Sequence, residues 1–450
     1  MLKISRVILP IATLLLVCYG TGCEREDPAK RGRVVIRYWE KWAGFEADAM
    51  RAIVDDFNKS QDRIWVDFTS VSQIDRKLML ATAGGVPPDV SGMWGDRLSV
   101  YAENNALMPL DKLARENGIK RSDYIDSIWK LCLYRGHLFG LPSTPGSIGL
   151  VWNKKMFRDA GLDPDRPPRS IAELEEYNVK LTKYRPDGTI LTLGHHPQEP
   201  GWWAPLFGYW FGAKMWDGQC RITANSPEQI AAFRWVESYP KRFGIDNIRA
   251  LKDGFGVMAS PQNPFLSGRV AMELQGVWIY QFIANYAAPD FEWGVGPFPS
   301  ADPAKLPAVS LVECDMLVIP AGAKHPKEAF EFIKYVNTQC PMEKLCLSMK
   351  KFSPLKKVSP DFFKNHPNPH IREFVELARS PNARSTPRIP MWTQYTADMN
   401  NAVTQIIAGT ATVEEVLDEV QARDQQAFDK RQRRWKRIEP KMNKLWSENQ

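Results

Sequence analysis

Much of what would simplify a 450-residue chain is missing from this one. It has no low-complexity tract and no tandem repeat of fixed period, which excludes solenoids and disordered linkers as its main content. After the first two dozen residues, no run approaches the roughly 20 apolar residues of a membrane-spanning helix. The cysteines beyond Cys23 are Cys132, Cys220, Cys314, Cys340 and Cys346. An odd set at irregular spacing is not a disulfide framework, although Cys340 and Cys346 are near enough to pair or to share a helix face. No cysteine pair has zinc-site spacing. His195-His196 precedes a proline without a third ligand and reads as loop, so no metal site and no cofactor is expected. G-x-S-x-G and H-E-x-x-H are both absent, and with them two common hydrolase signatures.

What is present is globular: 44% hydrophobic and 25% charged residues, with sixteen tryptophans. Tryptophan joins a large contact area to a single N–H donor, so this many suit a large core or a stacking surface. The length exceeds one core and predicts two or three domains. The charge is uneven. Lys430 to Lys444 holds eight bases and one acid, while the rest of the chain after residue 22 is slightly acidic. The basic balance is therefore a local tail, read as a solvated terminal helix over about 412–444, with contact to an anionic membrane as the alternative.

The N-terminus reads as a targeting segment. Lys3 and Arg6 precede the apolar run Val7 to Val17, which is too short to span a bilayer. Gly20-Thr21-Gly22-Cys23 resembles a bacterial lipobox, with glycine where leucine is usual; a small-x-small site also suits ordinary signal peptidase. The expectation is a signal peptide over 1–22, acylation at Cys23, and a lipid-linked tether over 23–32. The protein is then exported, periplasmic or cell-surface, and held to the membrane by its anchor. An exported chain meets little nucleic acid, and none is expected as a partner.

From residue 33 onward, strands and helices alternate. Val34 to Tyr38 is a β-branched strand. Phe45, Ala49, Ala52, Ile53 and Phe57 share a helical face over Phe45 to Asn58. Ile64 to Phe68 is a second strand, Asp75 to Thr82 a helix, and Asp89-Val90 opens a third strand. This alternation predicts an α/β fold with a mainly parallel sheet. Later, Phe265 to Trp278 reads as a turn at Ser267-Gly268, a buried strand Val270 to Leu274, a permissive Gly276, and Trp278 at the mouth of the next element. Open α/β sheets hold ligands at such strand ends.

That stretch resembles the F-x-x-G-x-x-A-M-x-x-x-G-x-W signature of the extracellular solute-binding proteins of ABC importers, in the sugar-binding branch related to maltose-binding protein. Phe265, Gly268, Ala271, Met272, Gly276 and Trp278 fill it. The likeness extends through Gly85, Pro88, Asp89 and Val90; through Gly140-Leu141-Pro142 and Trp152-Asn153-Lys154; through Ser170 and Glu173, a capping box; and through Trp293 to Pro299, Ile319 to Tyr335, Arg388 to Val403 and the capped helix at Thr412–Glu415. It covers about residues 33–425. The resemblance implies a two-lobe periplasmic binding protein fold of type II with discontinuous lobes, 33–143 with 298–350 and 144–297 with 351–450. The lobes are joined by three crossovers near Pro142–Ile148, Gly294–Pro299 and Phe352–Lys357. It implies a monomer that captures a sugar or oligosaccharide and delivers it to an ABC permease. Glu313-Cys314-Asp315 departs from the small residues usual there.

A sugar offers an apolar C–H face and a hydroxyl rim, so its site needs flat aromatics and placed polar groups. The candidates follow strands or sit in loops: Trp39, Glu40, Trp42, Gln73, Trp94, Asp96, Trp152, Trp202, Trp203, Trp278, Glu313, Asp315 and Trp392. The same acids leave open a binder of polyamines, other cations or organophosphates. A secreted carbohydrate-active enzyme would use similar residues.

Overall fold

The computed structural model describes residues 29–447. The expected signal segment, Cys23 and most of the tether lie outside the described residues. Among the described residues no helix is long and apolar enough to cross a membrane.

The strands are β1 (Val34–Glu40), β2 (Ile64–Ser70), β3 (Val90–Trp94), β4 (Leu133–Tyr134), β5 (His137–Leu138), β6 (Gly140–Asn153), β7 (Lys183–Tyr184), β8 (Ile190–His195), β9 (Val270–Gly276), β10 (Trp293–Gly296) and β11 (Leu311–Val318). All but the β4–β5 hairpin form one sheet in the order β2-β1-β3-β11-β6-β9-β8-β7, with β10 also on β6. The expected parallel pairing holds at the two ends: β1 runs parallel to β2 and β3, and β8 parallel to β9. The middle is antiparallel, because β11 and β6 are long strands that pass each other in opposite directions. The sheet is thus mixed rather than mainly parallel.

Two hydrophobic cores form around it. The first gathers Ile36, Tyr38, Ile53, Phe57 and Val90 with Phe330, Phe332 and Ile333. The second gathers Leu150, Phe157, Leu174, Phe207, Trp210, Phe233 and Tyr239 with Met399 and Val403. In β6 all fourteen residues are buried. Its side chains serve both cores: Leu141 and Val151 belong to the first, and Ile148, Leu150 and Trp152 to the second. Along β11, Leu311 belongs to the second core and Val312 to the first. Phe352 to Leu355 stays in the first core, where Leu355 bridges to Tyr124, and so does the helix Ile371–Arg379. The chain reaches the second core again only between Ala378 and Ile389. The chain also changes core between Val295 and Phe298, within the expected stretch Gly294–Pro299, but not at the Pro/Ser-rich Phe352–Lys357.

Other local expectations differ in detail. Cys340 and Cys346 sit on one helix, Gln339–Ser348, and neither is paired: Cys340 is exposed and Cys346 is buried. His195 ends β8 and His196 follows it. Both are buried, with His195 Nδ1 2.8 Å from the Tyr239 hydroxyl, so this pair is core rather than loop. Phe45 opens the helix Gly44–Ser60 but is exposed, and the buried face is instead Ala49, Met50, Ile53, Val54 and Phe57. The tail is a helix, Val413–Ser447, whose exposed bases face outward while Trp435, Met442 and Trp446 dock on the first core.

Candidate functional site

A cavity of about 720 Å³ lies between the two cores. Its walls come from the ends of strands, where the chain leaves the sheet. β1 ends at Glu40 and delivers Lys41 and Trp42. β3 ends at Trp94 and delivers Gly95 and Asp96. β9 ends at Gly276 and delivers Trp278 to the start of the helix Ile279–Tyr286. Alternation along β11 turns Glu313 and Asp315 to one side and buries Cys314 on the other. From the second core come Trp202 and Trp203 in a loop and Trp392 at the start of the helix Trp392–Ala408. Of the sequence candidates, Trp42, Trp94, Asp96, Trp202, Trp203, Trp278, Glu313, Asp315 and Trp392 line this one cavity.

Four candidates do not. Trp152 is a core residue: its Nε1 donates to the Pro164 carbonyl at 2.8 Å, and its ring covers Gly294 so closely that a Cβ there would meet it at 2.2 Å. It lies too far along β6 to return to the cleft. Trp39 is half-buried against the first core, on the opposite side of β1 from Tyr38 and Glu40. Glu40 is fully buried and already occupied, accepting from the Tyr38 hydroxyl and from the Lys41 backbone N–H at 2.7 Å. Gln73 is exposed, in a left-handed conformation with φ 53°, just before the helix Ile74–Ala83.

The aromatic part is a platform. Trp203 and Trp278 stack with ring centroids 6.3 Å apart at 26°, and Trp202 packs against Trp278 at 6.2 Å. The indole N–H groups are fixed beneath: Trp203 donates to the Leu274 carbonyl at 2.8 Å and Trp278 to Gln275 Oε1 at 3.2 Å. Gly276 and Gly146 make room, since a Cβ at Gly276 would enter the Trp278 ring at 2.2 Å. Trp202 remains 49% exposed, and Trp94 on the other wall 43%. Large apolar side chains left open in a cleft mark a binding surface.

The polar part is an ion network at the base of the cleft. Lys41 Nζ lies 3.1 Å from Asp315 and 3.4 Å from Glu40. Lys351 Nζ lies 3.5 Å from Asp315 and 3.7 Å from Glu46. Lys41 also sits 4.0 Å above the Trp42 ring, a cation–π contact. Burial opposes the charge on both lysines, but Asp315 and its fellow carboxylates outweigh it and hold both pKa values above the usual lysine range. Burial likewise opposes the Asp315 charge, and the two lysines overcome it, so its carboxyl titrates lower than usual. For Asp96 burial wins over the nearby Arg97 and its pKa rises. Glu313 is the exposed residue of β11 and opens to the cleft, though the protein around the cleft crowds it. Burial first, then Asp315, push it up to about 8.

Lys41, Lys351, Phe45, Glu46, Arg97 and Arg388 line the cavity and were not among the candidates. Lys41 had a signal, lying between Glu40 and Trp42; Lys351 and Arg388 lie in segments whose placement depends on tertiary packing. Arg388 is spent on carbonyls of Gly95 and Leu131, and burial lowers it to about 10. Among the described residues no group of three or more His, Cys, Asp or Glu is placed to hold a metal ion.

This geometry has known counterparts. Residues 44–339 match the family model described as bacterial extracellular solute-binding protein. An uncharacterised ABC transporter extracellular-binding protein of Pyrococcus horikoshii is 22% identical over 434 residues, covering 89% of this chain and 91% of that one. The maltotriose-binding protein of Pyrococcus abyssi is 21% identical, covering 70% of this chain and 64% of that protein. The solved structure of CpMnBP1 with mannobiose bound superposes with a TM-score of 0.77 at 28% identity, over 87% of this chain and 99% of that one. The sugar-binding protein MalE from Xanthomonas citri shares the fold at a TM-score of 0.73 and 19% identity, over 89% of this chain and 98% of that one. With two cores, a mixed sheet running through both and an aromatic cleft between them, the chain belongs to the bacterial extracellular solute-binding proteins.

Proposed function

We propose that this protein captures a sugar or short oligosaccharide in the cleft and delivers it to the permease of an ABC importer. The observation that carries this reading is the pair of exposed tryptophans on opposing walls, Trp94 and Trp202, with the stacked Trp203–Trp278 platform beside the second. Flat apolar faces suit the C–H face of a pyranose, and Asp96, Glu313 and Thr396 supply groups for its rim. A volume of about 720 Å³ falls within the usual range for small-molecule sites, roughly 300–1,000 Å³. The relatives that bind maltotriose and mannobiose support the same class. In this reading no bond is made or broken: the lobes close over the solute about the crossing strands, and the closed form is what the permease meets. Export, anchoring through an acylated Cys23 and action as a monomer complete the proposal.

The sn-glycerol-3-phosphate-binding periplasmic protein of Escherichia coli, 22% identical over 285 residues, raises an organophosphate as the rival solute. The cleft argues against it. A phosphate needs free cations, and Lys41, Lys351 and Arg388 are each engaged by carboxylates or carbonyls. A thermal-shift screen of mono- and oligosaccharides beside glycerol phosphates and polyamines tests the reading. A sugar at a thousandfold excess over its dissociation constant stabilises by about 4 kcal/mol. A shift with a phosphate or polyamine and with no sugar would overturn it.

A further inference from the structure

Among the carboxylates that line this cleft, one stands apart. Asp315 is shared by Lys41 and Lys351, Glu40 is held by Tyr38 and Lys41, Glu46 lies beside Lys351, and Asp96 lies 3.7 Å from Arg97. Glu313 has no hydrogen-bond or ion-pair partner among the described residues. It stands at the platform: a Cβ at Gly146 would touch the Trp278 ring at 3.0 Å and the Glu313 side chain at 3.2 Å, so the carboxylate and the indole flank the same point of β6. Every base near it is already committed, and the groups that act on it electrostatically are Asp315, Lys351, Asp96 and Lys41.

A carboxylate exposed to a binding cavity gains a charge-assisted contact only where something supplies a counter-charge. Nothing in the fold does. The neighbouring aromatic face would itself favour a cation. We propose that Glu313 sets the specificity of the cleft for sugars that carry a protonated amino group, with the amine seated between the Glu313 carboxylate and the face of Trp278. This deepens the sugar-binding reading and rests on it. The upward push on Glu313 to about 8 agrees: an empty cleft penalises its charge, and an ammonium would restore it.

The experiment is calorimetric titration with matched disaccharides, gluco- and manno-configured, each in neutral, amino and N-acetylated form, with spermidine as a non-sugar cation. In the wild type the amino form of the preferred series binds about ten- to a hundredfold tighter than its neutral counterpart, the value of one charge-assisted contact. Glu313→Gln brings that ratio close to one, and Glu313→Ala does the same if the glutamine finds a new partner; melting curves confirm that both variants fold. If neutral sugars bind and the amine gives no advantage, or if the advantage survives in both variants, the inference is wrong while the sugar reading stands. If no sugar binds in any form, or spermidine alone does, both fall.

Discussion

At the scale of single residues, the position after a strand was informative and the residue type alone was not. Trp42, Asp96 and Trp278 follow strands, Trp94 ends one, and all four reach the cavity. Trp152 is the same kind of residue inside a strand, where its outward direction is fixed by alternation and its ring becomes core. Buried charge was the least legible feature, because a carboxylate in a short strand looks the same whether it faces water or protein. Glu273 shows the consequence. It lies on β9, 1% exposed, with only Gln275 Nε2 donating to it at 3.1 Å. Burial, only partly offset by that contact, pushes it up to about 8. The folded value is above the unfolded one, near 4.5, so the favourable contribution is complete below about 4.5 and is lost as pH rises through about 8. Wild-type stability is therefore expected to fall between about pH 4.5 and pH 8 and to level off above, and Glu273→Gln should flatten that fall, gaining on the order of 1–3 kcal/mol over wild type at the alkaline end. Urea midpoints across this range check it; parallel wild-type and variant curves would refute the assignment.

At the scale of elements, caps were readable and docking was not. Both predicted caps form, at Thr412 as a full capping box and at Ser170 with the glutamate reaching back to the residue before the cap. The Glu173 N–H donates to Ser170 Oγ at 3.1 Å, and the Arg169 N–H returns the bond to Glu173 at 2.6 Å. Thr412 and Glu415 are reciprocal, with the Glu415 N–H donating to Thr412 Oγ1 and the Thr412 N–H to Glu415 Oε2. Each cap satisfies helix-end donors that nothing else reaches, so Thr412→Ala should cost about 1 kcal/mol in denaturant unfolding. The helix begun by that second cap is where the reading of a solvated tail falls short. Phe428, Trp435 and Met442 recur at heptad spacing beneath the basic residues, a stripe obscured by its charged neighbours. Trp446 is fully buried, with its ring centroid 5.1 Å from those of His137 and Phe139, and Arg135 lies 4.1 Å above Trp435. Trp446→Ala should accordingly cost about 3–5 kcal/mol, as removal of a packed core tryptophan does. A loss under 1 kcal/mol would mean that the end of the helix is not held.

At the scale of the whole molecule, that helix ties the two cores together as surely as the strands do. Val416, Leu417, Val420 and Phe428 pack in the second core, and Trp435, Met442 and Trp446 in the first. Between Asp429 and Arg434 no residue is buried. A closing rotation about β6 and β11 must therefore be absorbed in this polar stretch or by release of the tryptophan end, because packed interfaces shift between discrete arrangements rather than deforming smoothly. Removing residues 430–450 takes away the far attachment and leaves the strands alone to limit the motion. Small-angle scattering with and without a sugar identified by thermal shift should show a smaller radius when ligand is bound, in the wild type and in the truncated chain alike. The free truncated chain should in addition be more extended than its shorter length allows, since one restraint on opening is gone. Identical free and bound radii in the wild type, with binding proven by calorimetry, would remove closure from the account. A truncated chain no more open than the wild type would instead assign the restraint to the sheet alone, where β11 and β6 pair along Leu311–Val318 and Gly140–Ile148.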